Sequence, residues 1–123
     1  MKVLLSINPE YVEKIFSGEK KYEFRRNIFK RQDIKSIIVY STSPVKKIVG
    51  EFTIEEIIQD LPEKLWQLAP ESTGISEEKF YKYFENKKEG YAIKIGTLTK
   101  YKVMKNLKDF SVKTAPQSFI YIN

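Results

Sequence analysis

Cysteine and histidine are both absent from this chain of 123 residues. Without cysteine there are no disulfides, no thiolate metal ligands and no thiol nucleophile, which agrees with a reducing compartment. Without histidine the Ser-His and Cys-His nucleophile pairs are excluded, along with the general base that titrates nearest neutrality. The usual transition-metal ligands go with the two residues, so no metal and no cofactor are expected. Any catalysis rests on Lys, Asp/Glu, Tyr, Ser/Thr or Arg. Long apolar runs are missing too. The N-terminal "MKVLLSINPE" reaches Asn8-Pro9 after a few apolar residues, far short of a signal-peptide core or a membrane span. A cytoplasmic protein without a membrane partner is therefore expected. There is no internal repeat and no low-complexity stretch.

What is present is a globular balance, 41% hydrophobic and 31% charged residues. The length suits one domain with one core, spanning 1–123. The net charge of +6 is unevenly spread: residues 20–31 hold six Lys/Arg against one Glu, residues 51–90 ten Asp/Glu against five Lys, and residues 91–123 six Lys against one Asp. A basic body with an acidic middle favours a polyanionic partner on one side, nucleic acid before membrane. A solvated, lysine-rich surface explains the overall charge as well, but the 20–31 cluster less easily.

Along the chain, "KVLLSI" (Lys2–Ile7) reads as a buried strand ended by Asn8-Pro9. Asn8 can cap a helix whose first position is Pro9, with Val12, Ile15 and Phe16 as its buried stripe and Gly18 just past its end. The period then changes to two: Tyr22 and Phe24 fall on one face of a strand, Lys21, Glu23 and Arg25 on the other. "KSIIVYSTSP" reads as a strand and turn. In "KKIVGEFTIEEI", Ile48, Phe52 and Ile54 point inward and Gly50 permits a bulge or a close backbone approach. Two helices are expected in the middle: one with Leu61, Leu65, Leu68 and Ala69 as its stripe, and one starting at Ser76 with Phe80, Tyr83 and Phe84 on its apolar face. "YAIKIG", "KYKVM" and "QSFIYI" return to strands. The fold class is α+β, with short strands closing into a small, partly closed β-barrel and helices packed at its side.

"GEKKYEFRR" (Gly18–Arg26) resembles the G-x-K-x-x-E-x-R signature of the ASCH domains, a family within the PUA-like superfamily. Gly18, Lys20, Glu23 and Arg25 match it. "LLSINPEYVEKIFSG", "VYSTSPVKKIVGEF" and "PQSFIYI" also resemble stand-alone microbial members, so the likeness covers nearly the whole chain. The resemblance implies a PUA-like partly closed barrel, a cleft beside the signature, and a role in RNA metabolism or nucleic-acid-linked regulation. It further implies two candidate activities, amide hydrolysis of acetylated cytidine and RNA cleavage. In the small amidohydrolase members the signature lysine, here Lys20, is catalytic. Their essential threonine stands where this chain has Glu23, and their catalytic glutamate lies in the middle segment, where Glu71 in "APESTG" is the nearest candidate.

Taken as a site, Arg25 and Lys20 can hold an anionic or carbonyl group while Glu23 accepts hydrogen bonds from a base edge. Neighbouring cations, Lys21, Arg25 and Arg26, ease the deprotonation of Lys20 and Glu23 opposes it. A deprotonated Lys20 is a general base. A plain Glu23–Arg25 ion pair is the structural alternative. Tyr40, Ser41, Thr42 and Ser43 can line the cleft, or form an ordinary strand end and turn. Gln117 and Ser118 are base-edge candidates, or a polar start to the last strand. Arg26 joins the ligand contacts, and Lys21, Lys30, Arg31, Lys46 and Lys47 are candidate phosphate contacts. Trp66 is read as a packing anchor. The first expectation is a nucleic-acid-binding module for RNA or a modified nucleotide. The alternatives are a small hydrolase using Lys20 as base, acting on acetylated cytidine or RNA, and an interaction domain docking an acidic protein.

Overall fold

The structure, a computed structural model, describes residues 1–68 and 74–123. The first apolar run forms β1 (Lys2–Ile7) and ends where expected. Helix α1 (Pro9–Phe16) follows at once, with the Asn8 side chain accepting the Glu10 N–H at 3.1 Å and Pro9 in its first turn. Val12 and Ile15 are its buried face. Gly18, at φ 83°, takes the left-handed position that reverses the chain. Three more strands follow: β2 (Tyr22–Arg25), β3 (Ser36–Ser41) and β4 (Lys47–Asp60). Helices α2 (Pro62–Trp66) and α3 (Glu77–Tyr83) precede β5 (Gly90–Lys105), a 3-10 turn at Leu107–Phe110 and β6 (Phe119–Ile122).

The six strands form one sheet in the order β2-β5-β4-β3-β1-β6. β1 and β3 are parallel and every other pairing is antiparallel. The sheet curls into a half-barrel with the helices at its side, the α+β architecture expected. Register shifts on β4 at Ile48/Gly50, Phe52/Ile54 and Ile54/Glu56 bend the long β4–β5 ribbon. Gly50 sits at the first of these. A side chain there would place its Cβ 2.5 Å from the Thr99 carbonyl oxygen and 2.7 Å from the Phe16 ring, so the sheet and α1 approach as closely as they do only because residue 50 is glycine.

Three apolar clusters hold the layers together. Val3, Leu5, Ile15, Ile37 and Phe52 pack between the sheet and α1. Leu4, Ile38, Tyr40, Ile48 and Ile122 pack on the other face, under Leu107 and Phe110 of the 3-10 turn. Phe24, Leu65, Phe80, Phe84 and Ala92 join β2 and β5 to α2 and α3. In the third cluster Phe24 meets Phe80 edge-on at 4.9 Å, and Trp66 lies 5.0 Å from Phe80 as a packing residue.

Two expectations are corrected. α2 has five residues, so the stripe of Leu61, Leu65 and Leu68 does not form: Leu65 is buried, while Leu61 and Leu68 flank the helix at 37% and 38% exposure. Ala69 lies outside the described residues. "YAIKIG" and "KYKVM" are one strand, β5, rather than two. Gly96 does not break it, because the Thr53 hydroxyl fills the space of the missing side chain and accepts the Thr97 N–H at 2.8 Å. Among the described residues, no helix is long and apolar enough to cross a membrane.

Candidate functional site: a charged cavity behind the first helix

The turn after α1 fixes Lys20. Its backbone N–H donates to the Lys14 carbonyl at 2.9 Å, just past Gly18, and its side chain runs inward to only 3% exposure. Gly74 covers the aliphatic stem. At φ 69° its carbonyl accepts from Lys14 Nζ at 3.2 Å, and a Cβ there would lie 3.0–3.1 Å from the Lys20 side-chain carbons. The Lys20 ammonium lies 5.2 Å from the centre of the Phe24 ring and 5.5 Å from that of Tyr11, a placement in which the ring faces replace part of its lost hydration.

On β2, Glu23 reaches both cations. Its Oε1 is 3.7 Å from Lys20 Nζ and its Oε2 accepts from Arg25 Nη1 at 3.2 Å. Arg25 also donates to the Ser6 carbonyl at 3.4 Å and, through Nη2, to Ser118 Oγ at 2.8 Å. Its side chain is 12% exposed and that of Glu23 is 7% exposed. Lys20, Glu23 and Arg25 thus share one cavity of about 180 Å³, walled by Tyr11, Phe24, Phe80 and Tyr83 and floored by Ser6, Ile7 and Asn8. Burial pushes the Lys20 pKa down. Lys14 and Arg25 push the same way, and Glu23 opposes them by its charge and hydrogen bond. Burial raises the Tyr83 phenol, whose oxygen accepts the Arg26 N–H at 3.0 Å.

The other expected contacts divide. Ser118 is in the site, bonded to Arg25. Gln117, one residue earlier, is exposed and does not line the cavity. Arg26 contributes its backbone N–H to Tyr83, with its side chain exposed and outside the cavity. Tyr40 does not line the cleft: its ring is 6% exposed and packs with Leu4, Ile38 and Ile48, since β3 is buried on both faces and Tyr40 points to the one away from α1. Ser41 lines a different hollow, with Val12, Phe16 and Met104, and Thr42 and Ser43 belong to the turn beyond β3. Lys21, Lys30 and Lys46 are exposed. Arg31 donates to both carboxylate oxygens of Asp33, at 2.9 and 2.6 Å, and Lys47 bonds Asn106. Glu71 lies outside the described residues.

Residues 5–110 match the ASCH domain family. The chain belongs to that family. The crystal structure of ASCH from Zymomonas mobilis superposes with a TM-score of 0.90 at 28% identity, covering 99% of this chain and 87% of that one. An ASCH domain-containing ribonuclease from Zymomonas mobilis is 33% identical over 91 residues, 74% of this chain and 62% of the relative. The ATP synthase subunit alpha of Ureaplasma parvum is 31% identical over 121 residues, 98% of this chain and 15% of the relative. This ASCH domain thus spans less than two thirds of either curated relative.

Sequence reasoning missed the cavity's walls in this ASCH domain. Tyr11 follows the cap of α1 with no pattern marking it as a partner of Lys20. Phe80 and Tyr83 are separated from Glu23 by about 60 residues and read simply as the apolar face of α3.

Proposed function

We propose that this ASCH domain binds single-stranded RNA by drawing one residue of the strand, ordinary or modified, into the cavity of Lys20, Glu23 and Arg25. The observation that carries this is the convergence of those three buried charged groups on one hollow with aromatic walls. Its volume, about 180 Å³, falls below the roughly 300–1,000 Å³ of sites that enclose whole drug-sized ligands, so a single ring system suits it. Aromatic side chains offer stacking faces, Glu23 accepts from an exocyclic amino group, and Arg25 and Lys20 donate to carbonyl or phosphate oxygens. Fluorescence anisotropy with a labelled single-stranded RNA tests it. Lys20→Met and Arg25→Met are each expected to weaken binding at least tenfold. Equal affinity for both variants and the parent would refute the assignment.

RNA cleavage is the second reading, favoured by the name of the Zymomonas ribonuclease relative and by the lowered Lys20 pKa. A neutral Lys20 would take the proton of a ribose 2′-hydroxyl, whose oxygen forms a bond to the adjacent phosphorus. The bond from phosphorus to the 5′-oxygen breaks, and that oxygen takes up a proton, leaving a 2′,3′-cyclic phosphate. Arg25 would donate to the charge that builds on the phosphate. A strand with 2′-deoxyribose at the cleaved position is expected to bind and remain intact. Glu23, held between two cations where the amidohydrolase pattern has a threonine, lends no support to amide hydrolysis.

A further inference from the structure

The end of the sheet where β4 begins and β5 finishes holds a second group of cations that the cavity does not use. Lys46, on the turn between β3 and β4, and Lys108 and Lys113, after β5, surround an open depression of about 730 Å³ floored by Tyr40, Asn106 and Leu107. Lys100 and Lys102 stand exposed on the last stretch of β5. Among the described residues none of these five lysines forms an ion pair, whereas Lys2, Lys79, Lys94 and Arg31 each have a carboxylate partner within 4.0 Å. Asp109, the only acid between residues 91 and 123, is occupied: its Oδ2 accepts the Asn106 N–H at 2.9 Å in the capping of the 3-10 turn.

Large apolar side chains are exposed at the same end, Val103 at 77%, Met104 at 54% and Val45 at 38%. Cations without counter-charges beside bare apolar side chains suit a partner that is itself anionic along its backbone and apolar in its rings. A single-stranded nucleic acid has that character. The turn is also close to the cavity. Ile7, on the cavity floor, is paired with Ser41 across the adjacent parallel strands β1 and β3, and the Thr42 N–H donates to the Ile7 carbonyl at 3.0 Å. The chain that runs beside Ile7 at Ser41 therefore leads to Lys46 within the same turn.

We infer that Lys46, Lys108 and Lys113 form a phosphate track that carries a single RNA strand onward from the cavity. It rests on the reading that the cavity takes an RNA residue. It also shifts the electrostatic contact away from Lys30 and Arg31, since the Arg31 guanidinium is already held by Asp33.

Because all three lysines are exposed, a Lys46→Gln/Lys108→Gln/Lys113→Gln variant is expected to fold with an unchanged circular dichroism spectrum. Binding of a labelled 12-nucleotide oligouridine is measured as a function of salt for the parent, this variant, Lys20→Met, and Lys30→Gln/Arg31→Gln. Each phosphate contact on a single strand contributes about 0.7 to the slope of log K against log salt, so the triple variant is expected to lose about 2 from that slope and at least tenfold in affinity. Lys30→Gln/Arg31→Gln is expected to lose less than half of that slope. If the triple variant keeps the parental slope while Lys20→Met loses affinity, the track is wrong and the cavity reading survives. If the slope falls in the triple variant and Lys20→Met binds as the parent does, the track stands and the cavity reading fails. A parent that ignores the oligouridine, with or without binding to phosphatidylglycerol vesicles, overturns both.

Discussion

Lys20 and Glu23 face each other at 3.7 Å with both side chains less than a tenth exposed, and the second oxygen of Glu23 is taken by Arg25. Among the described residues, this one carboxylate pairs with both buried or nearly buried cations. Removing it takes the carboxylate from between Lys20 and Arg25. Glu23→Gln is expected to destabilise the fold by about 3 kcal/mol, at the low end of the roughly 3–5 kcal/mol for breaking a buried pair. The loss is moderated because Lys20 can shed its proton and Arg25 keeps Ser118 and the Ser6 carbonyl. Urea denaturation measures it, and a loss under 1 kcal/mol would mean that water reaches the pair.

Titration of Lys20 couples stability to pH. Burial, the largest influence, holds its ammonium below the ordinary 10.5. Between the depressed value and 10.5 the unfolded chain binds more protons here than the folded one, so this group's contribution is full above 10.5 and is lost as pH falls through the folded value. Measured against Lys20→Met, the parent is expected to gain relative stability as pH rises through that window. A difference that stays flat with pH would contradict the burial of the charge.

Phe80 ties the cavity wall to the third cluster, fully buried and in ring contact with Phe24, Trp66 and Phe84. Phe80→Ala is expected to cost about 3–5 kcal/mol and to weaken RNA binding further by loosening the wall beside Glu23. Thermal denaturation and anisotropy on the same sample separate the two effects.

Gly50 is tested by adding one methyl group. Gly50→Ala meets a backbone carbonyl at 2.5 Å, which cannot rotate away as a side chain can, so a loss of about 1–3 kcal/mol is expected from overpacking. Chemical denaturation reads it directly, and a neutral result would show that β5 can slide at Thr99.

Much of this is local and was readable in the chain. Asn8-Pro9 and Gly18 mark both ends of α1 because capping and positive φ need particular residues at particular positions. The period-two spacing of Tyr22 and Phe24 puts their rings together, 6.4 Å apart, and leaves Glu23 beside Arg25. Other features depend on contacts distant in sequence. β3 is buried on both faces, with Ile37 and Val39 in one cluster and Ile38 and Tyr40 in another, so no alternation reveals that Tyr40 turns away from the cavity. "YAIKIG" and "KYKVM" read as two strands until Thr53, 43 residues before Gly96, is seen to fill the place of its missing side chain. The aromatic walls at Tyr11 and Tyr83 come from separate helices, and only the fold brings them to Lys20.

The most direct measurement follows the Lys20 side-chain nitrogen by NMR while single-stranded RNA is added to the protein. Its resonance, set apart from the exposed lysines by burial, is expected to move in step with RNA saturation as a base enters between Lys20, Glu23 and Arg25. Saturation by RNA with that signal unmoved would place the ligand elsewhere and leave the cavity without a role in binding.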